Sequence, residues 1–560
     1  MWYSAFSYSK LALFASLLPF CLGSSPVVTG GSGLSYVGLR DSTSPGQDYF
    51  LGIPFAQPPV GPLRFEPPVP WSRDNKRIVN ATQNGYTCVQ ATRFTNDSIS
   101  EDCLTLNIWK PTKIDEKLPV LVWIYGGGFY AGGIKTYPGN KLVERAIKIG
   151  KPIVYVAMNY RLGIYGFPPG QAAADAGASN LGLKDQRLAL EWIQKNIAYF
   201  GGDPEKVTIF GESAGAISAA YQAFYKGGHI GGAFRGMILE SGSPSTLNVL
   251  KPNDPVKEEG FRLIANATGC NAEASDVFEC IRKASGEVLE QANSDLMKLE
   301  PYYQPPGQAR TIFTATRAPG DDFFTDIPSA LLHAGKFAKV PFINGAQLDE
   351  GTLFVNGTSM NSEEDIINWA TARFTGLNTG ITNKTAVREL LKYYPDNPTA
   401  GSPYGTSNET FGQGAQYKRY TSMFCDLLFQ APRRDHLRTA AEFGVKSWSY
   451  IFAERPLGFI PQFGVQHGGE IPFVMQLVDT LDPNASSEQL NLAHTMGDYW
   501  INFAYNLDPN PKSKLKLPDW PAYGKTGTAL QLLASNVTVF KDSARAEAVD
   551  FILSNPSLYN

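Results

Sequence analysis

Histidine is scarce in this chain, with five in 560 residues, so chemistry that needs an imidazole base has few places to find one. Cysteine is nearly as rare, at six, and no group of cysteines and histidines has zinc-ligand spacing. A structural metal is therefore not expected. Runs of like charge are missing too. The formal net charge is −3, with no basic block and no acidic tail, which removes electrostatic support for a nucleic-acid partner. Long apolar runs are also lacking. The stretch Leu11–Leu22 is about a dozen residues, where roughly 20 are needed to span a bilayer, and no later stretch is longer and comparably apolar. No membrane span is expected. Internal repeats and linker-like low-complexity tracts are absent, which favours one domain over residues 24–560 despite the length.

What is present begins with an address. Met1–Lys10 carries one positive charge and no acid, an apolar stretch follows, and small residues come at Gly23, Ser24 and Ser25. This is the layout of a secretory signal peptide over residues 1–23, which predicts a secreted, extracellular protein. Cysteine usage agrees. Cys21 leaves with the signal, and the remaining five pair most economically as Cys88 with Cys103 and Cys270 with Cys280, leaving Cys425 single. Spacing alone does not fix that connectivity. Eight N-x-S/T sequons, at Asn80, Asn96, Asn266, Asn356, Asn383, Asn408, Asn484 and Asn536, are candidate glycosylation sites in such a chain.

Apolar strand-like runs alternate with helical periodicity along the sequence. "LPVLVWIYGG" (118–127), "PIVYVAMNY" (152–160), "KVTIF" (206–210), "FRGMILES" (234–241), "KVPFINGAQ" (339–347) and "SWSYIFAE" (447–454) read as strands buried on both faces. "LGLKDQRLALEWIQKNIAYF" (181–200) reads as an amphipathic helix stopped by Gly201 and Gly202. Such alternation predicts an α/β fold, a large mostly parallel sheet with helices on both faces. The segments 245–335 and 355–440 read as helical insertions decorating it.

One pentapeptide fits a chemical role in that frame. "GESAG" (211–215) lies where strand 206–210 turns into a helix, the setting of a nucleophile elbow with Ser213 at its tip. Gly211 and Gly215 leave room that a Cβ would fill, and the Ala214 N–H, at a helix N-terminus, can face a developing oxyanion. "YGGGFYAGG" (125–133) follows the first long strand and offers Gly127 and Gly128 as further donors. The base must be a histidine. His229 follows a glycine pair soon after the helix that Ser213 precedes, His333 and His494 sit in helical stretches, and His436 lies among charges, so these four read as surface or core residues. His467, on a glycine-flanked loop after strand 447–454, is the leading candidate. The acid falls between serine and histidine, where "PFINGAQLDEGTLF" supplies both Asp349 and Glu350; position alone does not separate them.

These motifs together resemble the type-B carboxylesterase/lipase family of the α/β-hydrolase fold, which includes cholinesterases and fungal lipases. "YFLGIPFAQPPVGPLRF" (49–65), "EDCLTLNIW" (101–109), "WIYGGGF" (123–129), "NYRLGIYGF" (159–167), "LESGSP" (239–244), "DEGTLF" (349–354), "HGGEIPF" (467–473) and "LPDWPAY" (517–523) match its signatures in family order. The resemblance spans nearly the whole chain after the leader. It implies Ser213 as nucleophile, Glu350 as acid and His467 as base, with Gly127, Gly128 and Ala214 as oxyanion donors. Ser241 and Glu212 become neighbours of the triad, Arg64 with Glu101 a structural ion pair, and the two short disulfides family features. The implied reaction is hydrolysis of a small-molecule or lipid ester through an acyl-enzyme, with no cofactor. A lipase or sterol esterase using the same triad is the alternative, and a non-catalytic binding relative the less favoured one. The first disulfide loop departs from the family's lidded members. Only 14 residues separate Cys88 from Cys103, and none is tryptophan, which argues against a cholinesterase and against a large lid. The expectation is an open site that prefers soluble or medium-sized esters.

Overall fold

The computed structural model describes residues 25–31, 33–40, 46–72, 77–298, 312–355, 357–371, 383–511, 518–555 and 558. The expected signal segment 1–23 and the sequon at Asn356 lie outside the described residues. An eleven-stranded sheet organises the molecule. In chain order its strands are β1 (Leu39–Arg40), β2 (Gln47–Pro54), β3 (Thr105–Pro111), β4 (Leu118–Ile124), β5 (Val154–Met158), β6 (Gly202–Glu212), β7 (Gly236–Glu240), β8 (Phe342–Gln347), β9 (Ser447–Phe452), β10 (Thr528–Leu532) and β11 (Thr538–Lys541). Their order across the sheet is β11-β10-β9-β8-β7-β6-β4-β5-β3-β2-β1. From β10 through to β5 every neighbouring pair is parallel, and the antiparallel pairs lie at the two margins.

Burial explains this arrangement. Every residue of β4, β5, β7 and β8 is buried, so helices or loops cover both faces of the sheet centre. Helix α1 (Leu181–Asn196) and helix α2 (Ala214–Gln222) pack together beside β6. Later helices include α3 (Tyr417–Cys425), α4 (Ala431–Glu442), α5 (Ser487–Asn506) and α6 (Ala546–Ser554). Ser486 and Gln489 close a reciprocal capping box at the start of α5, which satisfies two orphan N–H groups. A π-helical turn, Asp426–Gln430, joins α3 to α4. A second, smaller apolar cluster forms around α3 and α6 with Ile366, Val387, Leu390, Tyr420, Phe424, Val549 and Ile552. Among the described residues no helix is long and apolar enough to cross a membrane.

Both expected disulfides are present, Cys88–Cys103 and Cys270–Cys280, and Cys425 is a buried thiol. Arg64 binds Glu101 through both carboxylate oxygens at 2.6 and 2.7 Å, and donates to the carbonyls of Arg282 and Ala284. The seven described sequon asparagines, Asn80, Asn96, Asn266, Asn383, Asn408, Asn484 and Asn536, are all exposed.

Candidate active site

Parallel strands end together at one edge, and loops leaving that edge can converge on one point. Strand β6 ends at Glu212, and the next residue, Ser213, has φ 55° and ψ −124° before α2 begins at Ala214. A serine pays steric strain at positive φ, and the turn holds it there because its neighbours leave no alternative. The Ser213 N–H donates to the Glu240 carbonyl at 2.8 Å. A Cβ on Gly211 would lie 2.7 Å from the Gly215 backbone, and one on Gly215 would run into the Ile124 carbonyl. Strand, turn and helix pass too close for any residue but glycine at those two positions.

The loop after β4 closes over this elbow. A Cβ on Gly126 would come within 2.7 Å of the Glu212 carbonyl and 3.0 Å of the Ser213 Cβ. Gly127 and Gly128 have φ of 97° and 63°, and the N–H groups of Tyr130 and Ala131 fold back onto the Gly127 carbonyl. The turn thereby leaves the N–H groups of Gly127 and Gly128 out of the sheet ladder. The first N–H groups of α2, Ala214 among them, have no carbonyl one turn earlier to bond.

His467 reaches the same place from the loop after β9. Its Nδ1 lies 2.5 Å from Glu350 Oε2, and the other Glu350 oxygen accepts the Gln347 N–H at 2.7 Å. Its Nε2 lies 3.1 Å from Glu212 Oε1, so that edge of the ring faces the residue beside Ser213. Phe354 and Phe429 pack on the imidazole with ring centroids 5.0 and 5.1 Å away. The other histidines stand elsewhere. His229 is exposed against the Lys226 carbonyl, and His333 pairs with Asp435. His436 is stacked on Phe342, and its pKa is pushed down to about 3 by burial; His494 is also lowered by burial.

The structure separates the two adjacent acids that position alone left open. Glu350 aims at the imidazole. Asp349 accepts the Ser402 hydroxyl at 2.7 Å and the Tyr404 N–H at 3.0 Å on one oxygen, and the Val465 N–H at 2.9 Å on the other. Its own N–H donates to the Val465 carbonyl at 2.9 Å, so Asp349 ties the segment of Glu350 to the loop that carries His467.

Further carboxyls gather behind the site. Burial, with Glu350 adding repulsion against the attraction of His467, raises the Glu212 pKa to about 7. Burial raises Glu240 to about 8 even though Trp500 donates to it at 2.7 Å. Glu470 is raised as well, chiefly by burial, and lies 3.5 Å from the Ser241 hydroxyl, which also accepts from Gln347 at 3.2 Å. Sequence reasoning did not single out Glu240 or Glu470. An acid inside the apolar run "GMILES" was the available signal for Glu240. No group of three or more metal-ligating side chains occurs among the described residues.

Comparison with known proteins agrees with this geometry. A family model described as the carboxylesterase family matches residues 35–552. Lipase 4 of Diutina rugosa is 36% identical, covering 98% of this chain and 100% of its own. A secreted triacylglycerol lipase of Gibberella zeae is 35% identical, covering 92% of this chain and 88% of its own. The crystal structure of EstA from Aspergillus niger matches with a TM-score of 0.79 at 28% identity, over 96% of this chain and 99% of that one. A strained serine at the end of a central parallel strand, on a fold shared along nearly its whole length with these enzymes, leaves one assignment: the chain belongs to the carboxylesterase family and is a carboxylic ester hydrolase of the α/β-hydrolase fold.

Proposed function

We propose that Ser213, His467 and Glu350 act as nucleophile, base and acid, with Gly127, Gly128 and Ala214 donating to the oxyanion. The observation that carries this reading is the imidazole bound to the buried Glu350 carboxylate at 2.5 Å, its opposite edge turned toward the elbow. His467 takes the proton as the Ser213 hydroxyl attacks the ester carbonyl, and gives it to the departing alcohol. Glu350 stabilises the imidazolium that forms. Water repeats the sequence on the acyl-enzyme, releasing the acid and restoring Ser213. Each oxyanion donor contributes about 3 kcal/mol to the transition state. Replacing Ser213 by alanine is expected to abolish turnover, and an organophosphorus reagent is expected to label Ser213 alone. Full activity in Ser213→Ala overturns the assignment.

The substrate reading rests on the Cys88–Cys103 loop. It is short, its ends pair as Thr87–Cys88 with Ile99–Ser100, and Asp97 meets both Thr87 and Lys135. A loop held at its ends and its middle does not swing as a lid. We therefore favour soluble, medium-sized esters. The lipase names of the relatives support the other reading, long-chain lipid esters. Rate measured on one ester below and above its solubility limit separates them: a smooth curve supports the open-site esterase, and a sharp rise above the limit supports the lipase. Secretion, supported by the leader-like first residues, the disulfides and the secreted relative, completes the proposal.

A further inference from the structure

An oxyanion site works only if its donors stay within about half an ångström of the productive position. The turn that carries Gly127 and Gly128 is poorly suited to that by composition. Residues 126–133 include five glycines, each free to adopt conformations closed to other residues. Within the turn, the backbone bonds are those of Tyr130 and Ala131 to the Gly127 carbonyl. Something outside the turn must fix its outgoing end.

Gln90 does so. It is 1% exposed, and its Nε2 donates to the Gly132 carbonyl at 2.7 Å while its Oε1 accepts the Gly132 N–H at 3.0 Å. One primary amide thus replaces a two-bond rung of β-ladder, a match that needs a donor and an acceptor on the same side chain. Nε2 also lies 3.2 Å from the Cys88 carbonyl, which sets the amide orientation. A side chain at position 132 could not take over this anchoring, since a Cβ there would sit 2.5 Å from the Tyr125 ring and 2.8 Å from the Gly126 carbonyl. The same disulfide loop braces the turn a second time. Phe94 packs against Tyr130 at 5.5 Å, and the Tyr130 ring fills the space in front of Gly128.

We infer that Gln90 is a positioning residue for ester hydrolysis, holding the Gly127 and Gly128 donors in register with Ser213 through Gly132. This rests on the oxyanion role proposed for those glycines. Gln90→Ala removes both bonds. Gln90→Glu keeps the acceptor for the Gly132 N–H and sets a second oxygen against the Gly132 carbonyl. The test measures kcat and KM on a soluble short-chain ester, per site titrated with an organophosphorus reagent. It also measures inhibition by a trifluoromethyl ketone, whose adduct carries the oxyanion. Displacing the donors by a fraction of an ångström to an ångström is expected to lower kcat about 10- to 100-fold in both variants. KM stays within about twofold, and the ketone inhibition constant rises by the same factor as kcat/KM falls. Gly127→Ala, whose Cβ would strike the Ala131 carbonyl, serves as the benchmark. If Gly127→Ala loses activity while Gln90→Ala keeps kcat within about twofold, Gln90 has no positioning role and the oxyanion reading stands. If Gly127→Ala itself retains full kcat, the oxyanion reading falls and the role of Gln90 with it. A lowered melting temperature with unchanged kcat and ketone affinity likewise overturns the inference.

Discussion

At the scale of single residues the site is a set of groups held where they would not rest unaided. Ser213 sits at positive φ, and three buried glutamates, Glu212 next to it and Glu240 and Glu470 behind, are pushed toward their neutral forms. Asp349 shows how the residue beside Glu350, the proposed acid, can contribute through the loops it holds. The hydrogen-bond partners of its carboxylate are all donors, two of them backbone N–H groups that cannot reverse. Asp349→Asn offers one oxygen to those two N–H groups, so one is left unpaired at about 1–3 kcal/mol. The loop carrying His467 then loosens, and we expect kcat to fall about 10-fold with KM nearly unchanged; steady-state kinetics on titrated sites check this. Glu240 supplies a pH prediction. Its folded pKa near 8 lies above the ordinary 4.5, so its contribution to stability is full below the ordinary value and declines as pH rises through about 8. Glu240→Gln keeps an oxygen for Trp500 and removes the ionisation. The fall in melting temperature between pH 6 and pH 8.5 should be shallower in that variant, and an equal slope refutes the attribution.

At the scale of elements, what could be read in advance was what periodicity encodes. The runs 118–127, 152–160 and 447–454 became β4, β5 and β9, the second trimmed at both ends and the others at their C-terminal ends, because apolar runs mark buried strands while boundaries depend on hydrogen bonds. The helix read over 181–200 is α-helical to Asn196 and finishes as a tighter turn over Ile197–Phe200. The run 206–210 extends back to Gly202, across a register shift against β4 that composition does not reveal. The elbow was legible because its glycines carry the steric constraint themselves. The work of Asp349 and Gln90 was not, because it depends on partners far along the chain: Val465 for one, Gly132 for the other. The short disulfide loop turns that distinction into an experiment. Replacing Cys88 and Cys103 by serine should cost about 3 kcal/mol for a separation of 15 residues, and should also lower kcat, since Gln90 sits two residues from Cys88. Replacing Cys270 and Cys280, which close a loop away from the oxyanion turn, should cost stability and leave kcat intact. Equal effects of the two pairs on kcat would separate the loop from the site.

At the scale of the whole molecule the question is whether the two apolar clusters behave as one folding unit. Buried ion pairs cross between them. Asp542, just past β11 with its side chain 2% exposed, accepts from Arg433 and Arg434 of α4 at 2.8–3.0 Å and from the Tyr523 hydroxyl at 3.2 Å. Three residues on, Arg545 at the start of α6 grips Asp426 of the π-helical turn at 2.6 and 2.7 Å. The last strand of the large sheet and the last helix of the smaller cluster are thus fastened to the same stretch, α3 to α4. Burial alone would raise the Asp542 pKa, and the two guanidiniums overcome it, holding the carboxyl well below its usual range. Its contribution is therefore present above the ordinary carboxylate pKa and is lost as the pH falls. Asp542→Asn leaves two buried guanidiniums without their counter-charge, a change that costs about 3–5 kcal/mol when one partner of a buried pair is removed. If the two clusters form a single domain, the wild-type protein melts in one calorimetric transition, and Asp542→Asn lowers the temperature of that transition without splitting it. The smaller cluster then does not release α6 while β10 and β11 stay in place, because Asp542 and Arg545, three residues apart, are both held by the stretch from α3 to α4. A separate early transition in the variant would make the helical insertions their own unit, and the site's Phe429, on the turn between α3 and α4, would melt with it.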